Sequence, residues 1–389
     1  MEKLPTENPL ATELRARIAE ASGLPFADFM VGCLYHPHYG YYMTPRARIG
    51  KEGDFFTSTS VHAVFGRLIA RQLAQMADLL GGTSFQLVEQ GAGEGHLALD
   101  ILDALAAESP ALYARLTYTL VEVSPASRAR QAQLLASHAA QVGWCDAGEW
   151  RIESGCLLSN ELVDAFPVHI VEKHAGELRE VFVVNAAGGG FAEELRPPST
   201  PALAEHCRWL GVSPLEGNRA EVSLAAPVWM REVAGRIARG FVMTIDYGYP
   251  AEELYAPHRR AGTLLCYRQH QADDDPYAAV GEKDITSHVD FTALQRAGAE
   301  AGLTTLWFGE QYRFLLGLGF FEELLRLQEQ CPREREARAL RLTLKNLILP
   351  EQGMGETFKV LVQGKGVGNP ELLCARPISA IPLAGFTGL

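Results

Sequence analysis

Apolar residues occur in two patterns along this chain, at helical spacing and in short continuous runs. The alternation of these two patterns predicts an α/β fold. Apolar residues at helical spacing predict helices over 10–21, 60–80, 97–107, 126–139 and 219–238. Apolar runs of strand length lie at 85–88, 118–123, 156–158, 241–245, 303–308 and 358–363. Strands that alternate with helices in this order predict a Rossmann-like, doubly wound parallel sheet.

Two segments interrupt the alternation and predict added elements on the substrate side of the sheet. Residues 168–173 and 178–184 alternate between apolar and polar like a hairpin, and a second excursion begins at residue 248. The predicted organisation is an N-terminal helical extension over 1–80 and a Rossmann-like domain over 81–389, with insertions at about 168–217 and 248–300.

Composition and charge narrow the classes of function. With 389 residues, 47% of them hydrophobic, the chain can bury a large core. A net charge of -12 offers no broad positive field, so we expect no sequence-independent nucleic-acid binding. The seven cysteines form no C-x-x-C pair, which indicates neither a structural zinc site nor a disulfide framework. We expect no membrane insertion and, because the first residues resemble neither a signal nor a transit peptide, a cytoplasmic location.

The most informative stretch is F-Q-L-V-E-Q-G-A-G-E-G-H at 85–96, an apolar run that ends in an acid and alternating glycines. Gly91, Gly93 and Gly95 supply backbone that can adopt positive φ and approach a ligand at a helix N-terminus. A dinucleotide site reads G-x-G-x-x-G, whereas alternating glycines preceded by Glu89 favour a cationic, amine-bearing ligand over a pyrophosphate. The amino-acid end of S-adenosylmethionine is such a ligand, and a nicotinamide enzyme is the nearest alternative.

A second acid supports a nucleoside ligand. Glu122 lies near the end of the predicted strand 118–123, where a carboxylate can accept hydrogen bonds from two ribose hydroxyls.

Further polar residues follow later strands. The segment S-N-E-L-V-D-A-F-P at 159–167 carries Asn160, Glu161 and Asp164, and I-D-Y-G-Y at 245–249 carries Asp246. Because ligands bind at the carboxyl ends of parallel strands, these groups are candidates to clamp a guanidinium or accept a proton. For Asp164 a helix or turn cap is an equal alternative, and Asp246 could simply close a turn.

Two other polar segments have competing interpretations. Asp54 and Thr57 lie in G-D-F-F-T-S at 53–58, which could cover the cofactor or cap a helix. His288, in D-I-T-S-H-V-D-F at 284–291, could act as a general base, but we favour a packing role.

These segments together resemble the MidA family. The matching motifs, in chain order, are H-P-x-x-G-Y-Y at 36–42, G-D-F-F-T-S at 53–58, F-G-R-L-I-A at 65–70, E-x-G-x-G-x-G at 89–95, S-N-E-L-V-D-A-F-P at 159–167, I-D-Y-G at 245–248, D-I-T-S-H-V-D-F at 284–291 and M-G-E-T-F-K-V at 354–360. That family includes a mitochondrial complex I assembly factor that acts as a protein arginine methyltransferase. The resemblance covers nearly the whole chain, although Phe166 stands where relatives often have leucine.

The resemblance implies a class I S-adenosylmethionine-dependent methyltransferase fold and a protein substrate, possibly a respiratory complex I subunit or its bacterial counterpart. It implies that S-adenosyl-L-methionine is bound by Glu89, Gly91, Gly93, Gly95 and Glu122, with Asp54 and Thr57 as further candidates. The acceptor is then an arginine, with Glu161 as its principal contact. A small-molecule amine methyltransferase and a non-catalytic assembly factor with the same fold are the alternatives.

Overall fold

The computed structural model describes residues 8–44, 62–268, 271–349 and 355–377. The strands are β1 (Leu24–Pro25), β2 (Phe85–Gln90), β3 (Leu116–Val121), β4 (Val142–Cys145), β5 (Ile152–Asn160), β6 (His169–His174), β7 (Glu177–Asn185), β8 (Phe191–Arg196), β9 (Arg219–Val222), β10 (Ile237–Tyr249), β11 (Leu265–Arg268), β12 (Gln271–Asp273), β13 (Asp284–Thr286), β14 (Val289–Asp290), β15 (Thr304–Glu310) and β16 (Phe358–Lys365). The α-helices are α1 (Pro9–Ala21), α2 (Phe26–Tyr35), α3 (Val64–Leu80), α4 (His96–Glu108), α5 (Pro110–Tyr113), α6 (Pro125–Leu134), α7 (Ala202–Leu210), α8 (Ala225–Arg236), α9 (Ala251–Leu254), α10 (Phe291–Glu300), α11 (Gln311–Gly317), α12 (Phe320–Glu329) and α13 (Glu334–Lys345).

The described residues form two compact units, each assembled from separate parts of the chain. The large-sheet unit contains 62–162, 230–247 and the described residues from 295 onwards. The small-sheet unit contains 8–44, 163–229 and the described residues of 248–294. The predicted insertions thus fall mainly in the small-sheet unit, together with α1 and α2 of the predicted extension, whereas α3 belongs to the large-sheet unit.

The large-sheet unit is built on a twisted sheet in the strand order β15-β16-β10-β5-β2-β3-β4. β4, β3, β2, β5 and β10 run parallel, while β16 and β15 are antiparallel to their neighbours. The order reverses beside β2, so the loop after β2 lies at the switch point where such sheets bind ligands.

The core of this unit forms where apolar strand residues meet amphipathic helices. Leu87 on β2, Leu158 on β5 and Met243 on β10 are fully buried in one cluster with Leu68 and Ile101, from α3 and α4. This burial removes the apolar faces of both helices from water and so fixes α4 against the sheet. The loop before α4 is positioned as a result.

The small-sheet unit contains two smaller antiparallel sheets. β1, β7, β6 and β9 form one, with β8 beside β7, and β12, β11 and β13 form the other. Phe26 and Phe29 of α2 are fully buried beside Val181 and Val183 of β7, so the N-terminal helices close this unit's core. The last two residues of β10, Gly248 and Tyr249, pair with β14 inside this unit.

The structure confirms most predicted elements and corrects some. The predicted helix over 219–238 is wrong at its start, because 219–222 is strand β9 and the helix spans Ala225–Arg236. The predicted helix over 126–139 ends at Leu134, and a short 3₁₀ turn follows. The strands β2, β3, β5 and β10 run parallel, as predicted, and β15 and β16, for which no direction was predicted, pair antiparallel at one edge. Within the described residues, no helix is long and apolar enough to cross a membrane.

Candidate functional site

The loop between β2 and α4 has the backbone that its glycines predict. Gly91, Gly93 and Gly95 have φ of 76°, 55° and 91°, all in the region that L-residues with a side chain rarely adopt. The Gly95 amide donates to the Ala92 carbonyl at 2.8 Å, which closes a tight turn directly before the first turn of α4. A helix N-terminus reached through such a turn presents backbone N–H groups to a ligand.

A glutamine that the sequence analysis missed ties this loop to Glu122. The side-chain amide of Gln131, fully buried on α6, donates to the Gly93 carbonyl at 2.8 Å and to the Glu122 carboxylate at 3.3 Å. Its Oε1 accepts from the Trp144 indole at 2.9 Å. Gln131 lies in a polar helix without a recognisable motif, so sequence spacing alone gave no signal for it.

Glu122 lies just beyond the end of β3, one residue past the strand, and is half-buried. Its Oε1 accepts from the Ser124 amide at 2.8 Å, which fixes the carboxylate against the start of α6. The next residue, Val123, is 59% exposed although it is apolar, and it is a second residue that the sequence analysis missed. An exposed valine beside a fixed carboxylate suits the flat, apolar base and the ribose of a nucleoside.

Glu89 is more deeply buried than predicted for a residue facing a cofactor. It is 2% exposed, and its Oε2 accepts from the Tyr118 hydroxyl at 2.7 Å. Burial raises the pKa of Glu89 to about 7, against the lowering effect of the Tyr118 hydrogen bond. The Glu89 carboxyl is therefore held within the sheet by Tyr118, two residues before Gly91.

The carboxyl ends of β5 and β10 bring together Asn160, Glu161 and Asp246, as predicted. Glu161 has φ of 52°, unusual for a residue with a side chain, and its amide donates to the Ile245 carbonyl at 2.9 Å. The side-chain amide of Asn160 donates to the Glu161 carboxylate at 3.0 Å. Asp246 is fully buried and accepts from the Leu162 and Tyr247 amides at 3.2 and 3.0 Å. The Glu161 carboxylate is thus held by the Asn160 side chain, and the Asp246 carboxylate by main-chain amides.

Three buried polar atoms at this edge lack a protein partner among the described residues. They are the Asn160 Oδ1, the Ser159 Oγ and the Thr244 Oγ1. Ser159 and Thr244 are register neighbours on β5 and β10, and both are fully buried. Buried polar atoms are nearly always hydrogen-bonded, so an acceptor such as Asn160 Oδ1 indicates a site for a donor from a ligand or water.

Asp164 lies in the small-sheet unit and is 5% exposed. Its main-chain carbonyl accepts from the Ser287 amide at 3.1 Å. His288, also in this unit, packs its ring 5.4 Å from that of Tyr249, consistent with the packing role that we favoured. Asp54 and Thr57 lie outside the described residues. In the part of the chain that the structure describes, no three His, Cys, Asp or Glu side chains are grouped to hold a metal ion.

Comparison with known proteins identifies the family. A model of a family of S-adenosyl-L-methionine-dependent methyltransferases matches residues 68–309, more than half of the chain. The chain belongs to this family. The resemblance that the sequence motifs indicated is therefore confirmed.

Similar proteins of other organisms cover nearly the whole of this methyltransferase. The mitochondrial protein arginine methyltransferase NDUFAF7 homolog of Drosophila melanogaster is 30% identical over 414 residues, covering 97% of this chain and 88% of that protein. The human mitochondrial protein arginine methyltransferase NDUFAF7 is 28% identical over 388 residues, with coverages of 91% and 83%.

A solved structure shares the fold at higher identity. A COG1565 superfamily member from Burkholderia thailandensis, bound to S-adenosyl-homocysteine, superposes with a TM-score of 0.86 at 34% identity, covering 96% of this chain and 98% of that chain. The predicted class I fold is confirmed, and S-adenosylmethionine is the cofactor of this methyltransferase.

The residues of the large-sheet unit fit this cofactor. The glycine loop before α4 can receive its amino-acid end, and the buried Asn160 Oδ1 can accept a hydrogen bond from an ammonium group. Glu122 and the exposed Val123 offer a carboxylate and an apolar surface for the ribose and base. These assignments, and those of Glu89, Gly91, Gly93 and Gly95, stay predictions for individual residues.

Proposed function

We propose that this chain is a protein arginine N-methyltransferase that uses Glu161 to hold the acceptor guanidinium. The names of the Drosophila and human relatives support a protein arginine as the acceptor. The observation that carries the proposal is the fixed carboxylate of Glu161, held by its strained backbone and by Asn160 at the carboxyl edge of the sheet.

The chemistry demanded of the protein is mainly positioning. When bound, S-adenosylmethionine supplies a methyl group that its sulfonium already activates. Glu161 accepts hydrogen bonds from the guanidinium and localises its positive charge, which leaves the lone pair of one nitrogen available for attack. The attacking nitrogen then loses a proton, for which a carboxylate is a suitable acceptor.

Two residues are candidates for a second carboxylate. Asp246 belongs to the same unit as Glu161 and is held by the Leu162 and Tyr247 amides. Asp164 follows Glu161 by three residues along the chain. Paired carboxylates bind the planar, five-donor guanidinium better than a single one does, because each can take a bidentate pair of N–H groups.

The finer proposal concerns the partner protein. We propose a respiratory complex I subunit or its bacterial counterpart as the methylated protein, on the resemblance to the MidA family. The cytoplasmic location expected from the sequence stays a prediction.

The test is the replacement Glu161→Gln, which keeps the shape of the side chain and removes its charge. We expect methyl transfer to arginine to fall by about 100-fold or more, while calorimetry shows unchanged affinity for S-adenosylmethionine. Glu153→Gln is the matched control, because Glu153 is an exposed acid at the opposite end of β5. Loss of cofactor binding in Glu161→Gln, with normal turnover at saturation, would overturn the assignment.

A further inference from the structure

One side chain of the large-sheet unit joins the two parts of the predicted cofactor site. Gln131 is fully buried, and its side-chain nitrogen donates both to the Gly93 carbonyl at 2.8 Å and to the Glu122 carboxylate at 3.3 Å. Gly93 belongs to the loop that can receive the amino-acid end of S-adenosylmethionine, and Glu122 is the candidate for its ribose. Gln131 is therefore a direct link between groups expected at opposite ends of the ligand.

The orientation of the Gln131 amide follows from the chemistry of its three partners. The Trp144 indole N–H, which can only donate, donates to Gln131 Oε1 at 2.9 Å. The Gly93 carbonyl and the Glu122 carboxylate each accept from the other end of the amide, which carries two N–H groups. A reversed amide would place its oxygen against both acceptors and its nitrogen against a donor. The side chain thus has one orientation that satisfies all of its partners.

The helix that carries Gln131 is held to the same groups by two further contacts. The Arg130 Nε donates to the Glu94 carboxylate at 2.5 Å, and the Arg128 Nε donates to the Glu122 main-chain carbonyl at 2.6 Å. The buried residues of α6 are all polar, so burial of apolar side chains does not account for the position of this helix. Polar contacts therefore fix α6 against both the loop and the residue that follows β3.

The carbon chain of Gln131 also lies against the end of the loop. A Cβ placed on Gly95 would come 3.2 Å from Gln131 Cγ, closer than most carbon atoms approach one another. The glutamine thus contacts the loop at its nitrogen and at its carbon chain. Because packed interiors leave little room for adjustment, a displaced loop would disturb Gln131, and a displaced Gln131 would disturb the loop.

We propose that Gln131 is a positioning residue that couples the two ends of the cofactor site, so that each end of S-adenosylmethionine strengthens the binding of the other. A ligand group that orders either the loop or Glu122 also orders the amide they share, and the second group then binds at a site already arranged for it. The inference rests on the assignment of the glycine loop and Glu122 to the cofactor, and it does not depend on the identity of the acceptor.

The probes for this coupling are adenosine and L-methionine, which carry the two ends of the cofactor as separate molecules. We expect calorimetry to show that saturating L-methionine tightens the binding of adenosine to the unaltered enzyme by about 5-fold or more. Gln131→Met keeps the length of the side chain and removes its hydrogen bonds, so this enhancement should disappear. The same variant should raise the Kd for S-adenosylhomocysteine by about 10-fold.

A second buried glutamine provides the matched control. Gln72 is also fully buried in the large-sheet unit, where it donates to the Gln75 side chain at 2.8 Å and accepts from the Cys374 amide at 3.0 Å. Gln72→Met removes a comparable amide away from the loop, so it should leave the enhancement and the Kd unchanged. Trp144→Phe, which removes the donor that orients the Gln131 amide, should weaken the enhancement.

Three results would overturn the coupling role. They are the absence of enhancement in the unaltered enzyme, an undiminished enhancement in Gln131→Met, and an equal loss of enhancement in Gln72→Met. None of these measurements involves methyl transfer. The inference can therefore fail while the proposed arginine acceptor stands, and the acceptor can prove wrong while the coupling stands.

Discussion

Gly93 offers the most direct test, at a single residue, of the predicted cofactor loop. Its φ is 55°, and its carbonyl accepts from the Gln131 side chain. A valine at this φ is strained because its branched side chain clashes with the adjoining backbone. We expect Gly93→Val to weaken binding of S-adenosylmethionine by about 10-fold or more, measured by calorimetry.

A glycine outside the loop provides the control for this substitution. Gly82 has φ of 91°, and no atom lies within 4 Å of the position that a Cβ would occupy. Gly82→Val therefore introduces comparable backbone strain away from the cofactor loop. Equal cofactor affinities in Gly93→Val and the unaltered enzyme would contradict the assignment of the loop.

Glu89 shows how the burial of one carboxyl group makes the stability of the fold depend on pH. Its pKa is raised to about 7 in the folded state, because folding favours the protonated carboxyl group. The contribution of this protonated group to stability is fully present below the pKa that Glu89 has in the unfolded chain. That contribution is lost as the pH rises through about 7. We expect Glu89→Gln to raise the free energy of unfolding at pH 8, relative to the unaltered enzyme, by about 2 kcal/mol, while its effect at pH 4 is small.

The measurement is urea unfolding of both proteins at the two pH values. Tyr118→Phe is the companion variant, because removing the hydroxyl that lowers the pKa of Glu89 should move the loss of stability to higher pH. A Glu89→Gln variant less stable than the unaltered enzyme at pH 8 would show that the ionised carboxylate is favourably solvated in the fold.

Residues with a backbone requirement could be predicted from sequence, whereas residues defined by partners could not. The alternating glycines predicted a loop with positive φ, and all three glycines have positive φ. Gln131 contacts that loop from 38 positions away in sequence, and no spacing rule connects them. The positive φ of Glu161 was equally invisible, since acids do not ordinarily mark that conformation.

Among the helices, α3 and α12 are joined by a buried ion cluster in the large-sheet unit. The Glu323 side chain is fully buried and pairs with Arg67 and Arg71 of α3 at 2.6 Å each, and with Arg326. Burial alone would raise the pKa of Glu323, but its hydrogen bonds with Arg326 and Arg67 and the nearby positive charges lower it to about 2. The charged form is thus strongly favoured by folding.

The stability contribution of this cluster depends on pH in a definite direction. Because the folded pKa is depressed, the contribution is fully present above the unfolded pKa of Glu323 and is lost as the pH falls through about 2. We expect Glu323→Gln to lower the free energy of unfolding at pH 7 by about 2–3 kcal/mol, and by less at pH 3. Chemical denaturation at the two pH values measures the difference.

The neighbouring Glu322 is a matched control. It pairs with Arg376 at 3.3 Å, and both side chains are well exposed. Exposed ion pairs contribute at most about 1 kcal/mol, so Glu322→Gln should change stability little. Equal losses in the two variants would mean that burial of Glu323 adds nothing to its pairing.

The order of helices and strands and the parallel centre of the sheet could be predicted, but the direction of the edge strands and some element starts could not. An apolar run such as 358–363 looks the same whether it pairs parallel or antiparallel, so the sequence assigns no direction to the strands at this edge of the sheet. Residues 219–222 read as the first turn of a helix because Ala220 and Val222 continue an apolar pattern. Their pairing with β6 makes them a strand, and that partner lies about 50 positions earlier.

At the scale of the whole molecule, the two compact units do not correspond to two consecutive stretches of the sequence. The small-sheet unit draws on three separate stretches, and its core joins Phe26 and Phe29 to residues of β7 more than 150 positions later. Long-range burial of this kind leaves no local pattern, so an extension followed by a domain was the natural expectation. The family and the fold were nonetheless accessible, because motif order survives insertions.

Methyl transfer to a protein arginine is the central claim, and the most direct test labels the acceptor. The purified enzyme is incubated with labelled S-adenosylmethionine and lysate from a strain that lacks the enzyme, and the labelled residue is mapped by mass spectrometry, with Glu161→Gln as the control. We predict label on an arginine of a protein, a respiratory complex subunit in the finer proposal, and none with the variant. Label only on small amines or on other residues, or no transfer at all, would contradict the account.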